Sequence, residues 1–325
     1  MAIKLSTYLK NIYGEKVYRL SLSSGCGCPN RDGTVGTGGC TFCSEGGSGE
    51  FAARFSSGFR TASDLSDEDI TAMLDEQIRE AKAKVMNKTD ARKFIAYFQS
   101  FTNTYGDAEY LRKLYSAAIS RDEIVILSIG TRPDCVGPDI VAMLKELNDI
   151  KPVWVELGLQ TIHDGTARAF NRGYDLDCFV DAYRRLKEAG LTVVVHLIMG
   201  LPGESREDML ESVRFLSDLR PELDGIKIQN LQILKGTAMY QQFLEEKEAS
   251  QESVNRNEDS ESFHIMSMEE YTDLVAEAIA LLPETTVVHR MQGDGPRKLL
   301  VEPLWSLDKK RVLNMLTAKT RDILK

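Results

Sequence analysis

The residues most able to do chemistry are cysteines. Six occur in the 325-residue chain, and four of them fall within the single stretch GCGCPNRDGTVGTGGCTFC. Cys28 is followed after eleven residues by Cys40, and Cys43 stands three positions beyond that. A Cys-x-x-Cys pair lets two thiolates converge on one metal centre, and the glycine-rich spacer lets the backbone wrap around it. Cys28 adds a third arm to the clamp. Three thiolates on a four-iron cluster leave one iron without a protein ligand, a position open to a cofactor or substrate. If Cys26 joined the set, the same loop would close a four-thiolate zinc tetrahedron of the structural kind. Cys135 and Cys178 stand alone in the sequence and read as small apolar packing residues.

The elements around this loop follow a βα rhythm. Short apolar runs (KFIAYFQS, EIVILSIG, PVWVELGLQ, LTVVVHLIMG and GIKIQNLQIL) alternate with amphipathic stretches such as DEDITAMLDEQIREAKAKV, DAEYLRKLYSAAI, PDIVAMLKEL, CFVDAYRRLKEAG and REDMLESVRFLSDL. Strands alternating with helices predict parallel strands buried on both faces, in a barrel or a doubly wound sheet. YRLSLSS is the expected first strand and feeds directly into the cysteine loop. Such folds keep their chemistry at the C-terminal ends of the strands. Residues 246–262 are polar, charged and poor in aromatics, which predicts a mobile loop between a core, 1–245, and a C-terminal extension, 263–325, that covers or flanks the barrel. In TTVVHRMQGDG, a final strand over the barrel mouth would bring His289, Arg290 and Asp294 near a substrate.

Composition narrows the function classes. The hydrophobic share is 42% and the charged share 27%, with no apolar run of membrane-span length. The start, MAIKLSTYLKNIYG, lacks the apolar core of a signal peptide, so a cytoplasmic protein with reduced thiols and no membrane partner is expected. A net charge of −9 argues against a broad, sequence-blind grip on nucleic acid. From Arg297 onward, however, Lys298, Lys309, Lys310, Arg311, Lys319, Arg321 and Lys325 outnumber Glu302, Asp308 and Asp322, which reads either as a solvated helix face or as a docking face for an anionic macromolecule.

The stretch CPNRDGTVGTGGCTFC resembles the cluster loop of radical S-adenosylmethionine (SAM) proteins related to the catalytic subunit of Elongator. YFQSFTNTY, SIGTRPDC, VELGLQT, NRGY and HLIMGLPGE resemble further motifs of that family, in the family's order, from Tyr18 to Trp305. No acetyltransferase stretch accompanies them, so the likeness is to a short bacterial branch. The resemblance implies an α/β fold, a partial (β/α)6 barrel of the TIM type. It implies a 4Fe–4S cluster held by Cys28, Cys40 and Cys43, and SAM bound at the open iron and cleaved reductively to a 5′-deoxyadenosyl radical. The implied reaction modifies the side chain of a tRNA wobble uridine, with tRNA and a low-potential electron donor of the flavodoxin or ferredoxin type as partners. A radical SAM enzyme acting on a small molecule or protein side chain, and a zinc-stabilised barrel serving as a binding protein, are the alternatives.

Other residues take roles from the same resemblance, each beside a plainer one. Glu156 lies in an apolar strand and needs a partner if buried; the family likeness makes that partner SAM, a local ion pair being the alternative. Gln160 and Thr161 would donate to its ribose or carboxylate. Gln99, Ser100 and Asn103 fall where the family has a loop at the SAM amino group, or else cap a turn. The backbone at Ile198, Met199 and Gly200 would meet adenine, unless Gly-Leu-Pro-Gly is only a strand-to-helix turn, with Glu204 capping the next helix. Arg132 and Arg172 are forks for a carboxylate or phosphate, Arg172 being read as a cofactor or substrate contact. His196, inside an apolar strand, reads as a hydrogen-bonded core histidine.

Overall fold

The computed structural model describes residues 1–47, 52, 65–87, 89–253 and 263–325. In chain order these form β1 (Ile3–Lys4), α1 (Leu5–Tyr13), β2 (Val17–Leu22), α2 (Asp67–Met86), β3 (Lys93–Phe98), α3 (Ala108–Ile119), β4 (Ile124–Thr131), α4 (Pro138–Asn148) and β5 (Val153–Gln160). There follow α5 (Asp164–Ala169), α6 (Leu176–Glu188), β6 (Thr192–Met199), α7 (Arg206–Ser217), β7 (Gly225–Asn230), β8 (Ile233–Leu234), α8 (Ala238–Ser253), α9 (Met268–Ala280), β9 (Val287–Arg290), β10 (Leu300–Glu302) and α10 (Lys309–Lys319).

Eight strands make one sheet in the order β1-β9-β7-β6-β5-β4-β3-β2, with every neighbouring pair parallel. The run β2 to β7 is a six-stranded parallel array in sequence order, the partial TIM-type barrel that the family resemblance implies and one of the two arrangements that the alternation of apolar and amphipathic stretches allows. Its helices start where the chemistry of capping dictates. Ser66, Ser205 and Ser267 form capping boxes with Asp69, Asp208 and Glu270, and Asp107 and Asp175 cap α3 and α6. The cap of α7 is therefore Ser205; the Glu204 side chain is half-buried, and burial raises its pKa. Leu114, Leu144, Leu186 and Leu216, one on each of α3, α4, α6 and α7, are completely buried against the outer face of the sheet. Each contributes about 1.5–3 kcal/mol of hydrophobic stabilisation.

The inside of the barrel is layered. At the N-terminal ends of the strands, Val17, Ile95, Ile126 and Trp154 pack with Leu9 of α1 into a small apolar plug. Above it the inward side chains turn polar, and the cysteine loop leaves the C-terminal end of β2 over them. One sequence expectation fails here: 246–253, expected within a mobile loop, continue α8 as far as Ser253, and 254–262 lie outside the described residues. A polar composition is compatible with a solvent-facing helix as well as with a loop. The run GIKIQNLQIL also divides, since β8 leaves the main sheet and pairs antiparallel with β10. β9 does not cross the barrel mouth but lengthens the sheet beside β7.

Candidate active site

Cys28, Cys40 and Cys43 line one cavity of about 280 Å³ at the C-terminal ends of the strands. The loop carrying them is built by backbone turns: Cys43 N–H donates to Cys40 O at 2.9 Å, and Arg31 N–H to Cys28 O at 2.9 Å. It is then fastened to the turn that follows α5. Asn30 Nδ2 donates to Asn171 O at 2.6 Å, Asn171 Nδ2 returns a bond to Gly39 O at 2.9 Å, and Arg132 Nη1 donates to Arg172 O at 2.9 Å. Gly173 has φ +82°, and a Cβ there would stand 2.9 Å from Asn30 Oδ1, so this turn accepts only glycine without displacing the loop. Phe101 and Gln160, which line the cavity, and Asn171 are non-glycine residues with φ of 57°, 65° and 58°. Left-handed backbone of this kind persists only where the surroundings hold it, and functional sites are where it gathers.

The thiol set suits an iron–sulfur cluster better than a single ion. Among the described residues, Cys28, Cys40 and Cys43 do not form a group whose ligand atoms all lie within 4.8 Å of one another, the close approach that a single ion requires. Soft thiolates around a larger centre fit iron–sulfur chemistry. Burial, reinforced by Cys43, pushes the Cys40 thiol up to about 12, so it keeps its proton until a metal centre displaces it. Cys26 does not line the cavity: it is buried beside Gly106, and burial raises its thiol to about 11. The closed four-thiolate zinc arrangement is therefore not formed.

Deeper in the cavity lies a polar layer. The Glu156 carboxylate accepts from Ser128 Oγ at 2.8 Å, from His196 Nε2 at 2.8 Å and from Lys227 Nζ, which also donates to Tyr97 Oη at 3.0 Å. Glu156 and Lys227 are fully buried side chains. Burial alone would favour the neutral acid, but Lys227, the His196 hydrogen bond and Arg19 outweigh it and hold Glu156 well below the usual carboxylate range. Burial, aided by the charge on Lys227, draws His196 down to about 4, so its ring is neutral at physiological pH. The partner that the apolar setting of Glu156 demands is thus Lys227, with His196, and these belong to the protein. The same signal, a charge within an apolar strand, was present at Lys227 in GIKIQN.

Of the remaining residues read from sequence, Gln99, Gln160 and Ile198 line the cavity with Glu156, whereas Ser100, Asn103, Thr161, Arg172, Met199 and Gly200 do not. Asn103 is a strut: its side chain accepts from Ser24 Oγ and donates to Phe98 O and Gly130 O. Arg172 is wholly buried and donates to the carbonyls of Leu159, Thr161 and Tyr174 and to Asp164, leaving no fork for a ligand. Thr161 Oγ1 accepts from His163 N–H, Met199 O accepts from Leu231 N–H, and Gly200 N–H is directed at Met209 Sδ. Ser100 is buried. Arg132 reaches the cavity but forks Asp134. Tyr97, Tyr174, Gln229, Asn230 and Gln232 also line the cavity without an earlier sequence signal, since aromatic and amide residues near strand ends are commonplace.

A curled parallel sheet with a three-cysteine loop over its C-terminal face defines a class of cofactor-dependent enzyme, and the comparisons with known proteins agree. Residues 22–216 match the Radical SAM superfamily, and 223–322 match the Radical_SAM C-terminal domain. The chain belongs to the radical SAM superfamily, whose enzymes use a 4Fe–4S cluster and SAM. It is 40% identical over 309 residues to protein YtqA of Bacillus subtilis (strain 168), covering 95% of this chain and 86% of that one. It is 35% identical over 294 residues to protein YhcC of Escherichia coli (strain K12), covering 90% and 84%. Among solved structures, archaeal Methanocaldococcus infernus Elp3 shares the fold with TM-score 0.59 at 20% identity, over 78% of this chain and 60% of that longer one. No helix among the described residues is long and apolar enough to cross a membrane.

Proposed function

We propose that the cavity is the reaction chamber of a radical SAM enzyme that modifies the side chain of a tRNA wobble uridine. The observation that carries the reading is the gathering of three thiols, Cys28, Cys40 and Cys43, on one cavity with the strand-end groups of Gln99, Gln160 and Ile198. In this reading the three cysteines hold the cluster, Gln99 and Gln160 orient SAM by side-chain hydrogen bonds, and Ile198 offers an apolar surface to adenine. When bound, cluster and SAM supply a 5′-deoxyadenosyl radical for hydrogen abstraction, hard chemistry that belongs to the cofactor. The chain's own part is to position substrate, exclude water and fix charge, the last through the Glu156–Lys227–His196 layer beneath.

The RNA side of the proposal draws on the Elongator-like fold and on the position of α10. Lys309 pairs with Asp294, which lines the cavity, so this basic helix begins beside the opening. Lys310 and Arg311 are exposed on it. The reading carries with it a cytoplasmic setting and a low-potential electron donor of the flavodoxin or ferredoxin type. Anaerobic reconstitution with iron, sulfide, SAM and a reductant is expected to yield 5′-deoxyadenosine. Comparison of tRNA nucleosides from cells with and without the gene is expected to show one altered uridine derivative at the wobble position. An unchanged nucleoside profile with intact SAM cleavage would remove tRNA and leave a small molecule or protein side chain as substrate.

A further inference from the structure

The strand β9 is irregular where it meets the cavity. Its register with β7 runs Gly225 to Val287 and Ile226 to Val288, then Lys227 to Arg290, skipping His289. In a regular strand, successive side chains face opposite sides of the sheet, and one of His289 and Arg290 would point outward. The extra residue brings both inside. His289 Nδ1 lies 3.1 Å from Arg19 Nη2 and its ring packs edge-on to Trp154 at 4.9 Å. Arg290 lines the reaction cavity, where Nη1 donates to Gln229 Oε1 at 3.4 Å. Bulges of this type re-aim a side chain beside active sites.

The charge so introduced is not answered by the protein. Glu156, the carboxylate of the polar layer, is already committed to Lys227, His196 and Ser128. At the rim Asp294 pairs with Lys309, and Asp134 with Arg132. Arg19 adds a second guanidinium at the level of the plug, bonded to His289 and stacked 5.6 Å from the Tyr97 ring. Arg290 thus has an amide oxygen at long range as its hydrogen-bond partner and, among the described residues, no carboxylate at salt-bridge distance. A guanidinium turned into a confined, partly desolvated space gains most from a planar anion that it can meet with two parallel hydrogen bonds. A carboxylate is such an anion.

We propose that Arg290, backed by Gln229, is the specificity residue of the cavity and that the substrate group entering it carries a carboxylate. The proposal rests on the cavity being the reaction chamber and adds to that reading the chemical class of the group acted on. Arg290 is a substrate-binding residue in this scheme and has no part in holding the cluster or SAM.

Phenylglyoxal labelling of the cluster-loaded wild-type protein under anaerobic conditions, read by peptide mass spectrometry, tests it with propionate and propionamide as probes. Propionate is expected to protect Arg290 at concentrations at which the isosteric neutral amide does not. Equal protection by the two, or none by either, would overturn the proposal. Saturation-transfer NMR with the same probes should show propionate binding at least tenfold weaker in Arg290→Gln and only partly restored in Arg290→Lys, which keeps the charge but not the fork, with iron content unchanged in both. Full propionate binding by a folded Arg290→Gln would equally refute it. The nucleoside that accumulates in tRNA when the gene is deleted should carry a carboxylate, and one without a carboxylate would count against the proposal. Should no nucleoside change while propionate still protects Arg290 selectively, the tRNA reading fails and the carboxylate assignment stands.

Discussion

The upper and lower halves of the cavity are built on opposite principles. Above, the thiol loop is held by backbone turns at Cys28 and Cys40 and by the turn at Asn171, and its three thiols line the cavity. Below, the functional atoms are themselves the structure, with Glu156, Lys227, His196, Ser128 and Tyr97 bonded to one another inside the barrel. In the proposed reading the upper half is the part that holds the cofactor, and the Glu156–Lys227–His196 layer below is joined by protein groups alone. Substitutions in the first should cost chemistry and spare stability, and substitutions in the second should do the reverse.

The largest effect is expected at the loop. Cys40→Ser removes a thiolate from the cluster set, and 5′-deoxyadenosine formation after reconstitution should fall by at least ~100-fold, with iron content dropping in parallel. The thermal midpoint of the cluster-free protein should barely move. Lys227→Met tests the other half: it leaves a buried carboxylate short of its principal counter-charge, and unfolding by urea should show a loss of about 3–5 kcal/mol. The double variant Lys227→Met with Glu156→Gln should recover part of that loss; a double variant as unstable as the single would mean that the two side chains do not act as a pair.

A smaller effect separates the halves by pH. The His196 ring is held near 4 in the folded protein, below its ordinary value of 6.5. Above pH 6.5 the ring is neutral in both states and contributes no pH dependence. As pH falls from there to about 4, the unfolded chain takes up a proton that the folded one refuses, and stability declines by roughly 3 kcal/mol at most. Denaturation curves at pH 7, 6, 5 and 4 should show this slope in the wild type and a shallower one in His196→Gln. The smallest effect belongs to the surface: Lys310→Ala with Arg311→Ala should weaken tRNA binding by roughly threefold to tenfold at low salt and reduce the salt slope by about 2. Filter binding at several salt concentrations measures both, and unchanged slopes would take α10 out of the RNA interface.

Much of the loop was legible because its signal is local. Four cysteines and a glycine-rich spacer within twenty residues imply a metal centre whatever surrounds them, whereas Gln99, Gln160 and Ile198 came from the family resemblance, which named Ser100, Thr161 and Met199 beside them with equal weight. Arg172 illustrates the opposite case. An arginine between Asn171 and Gly173 has the same sequence appearance whether it forks a ligand or four protein oxygens, and only the fold supplies Leu159, Thr161, Tyr174 and Asp164 around it. Asn103 is similar, a capping or cofactor side chain by type and a strut between β3 and β4 by position.

The sequence by itself indicated parallel strands and a cysteine cluster at the C-terminal end of the first of them, because periodicity and short-range spacing are written in adjacent residues; the choice of Cys28, Cys40 and Cys43 over a set with Cys26 came from the family resemblance. Tertiary structure alone decided which polar side chains share the barrel interior. Glu156 and Lys227 stand 71 positions apart and meet because β5 and β7 flank β6 in one curved sheet. Arg290, which the sequence offered for the barrel mouth, enters the cavity instead through a single extra residue in β9, a shift in hydrogen-bond register that depends on the neighbouring strand.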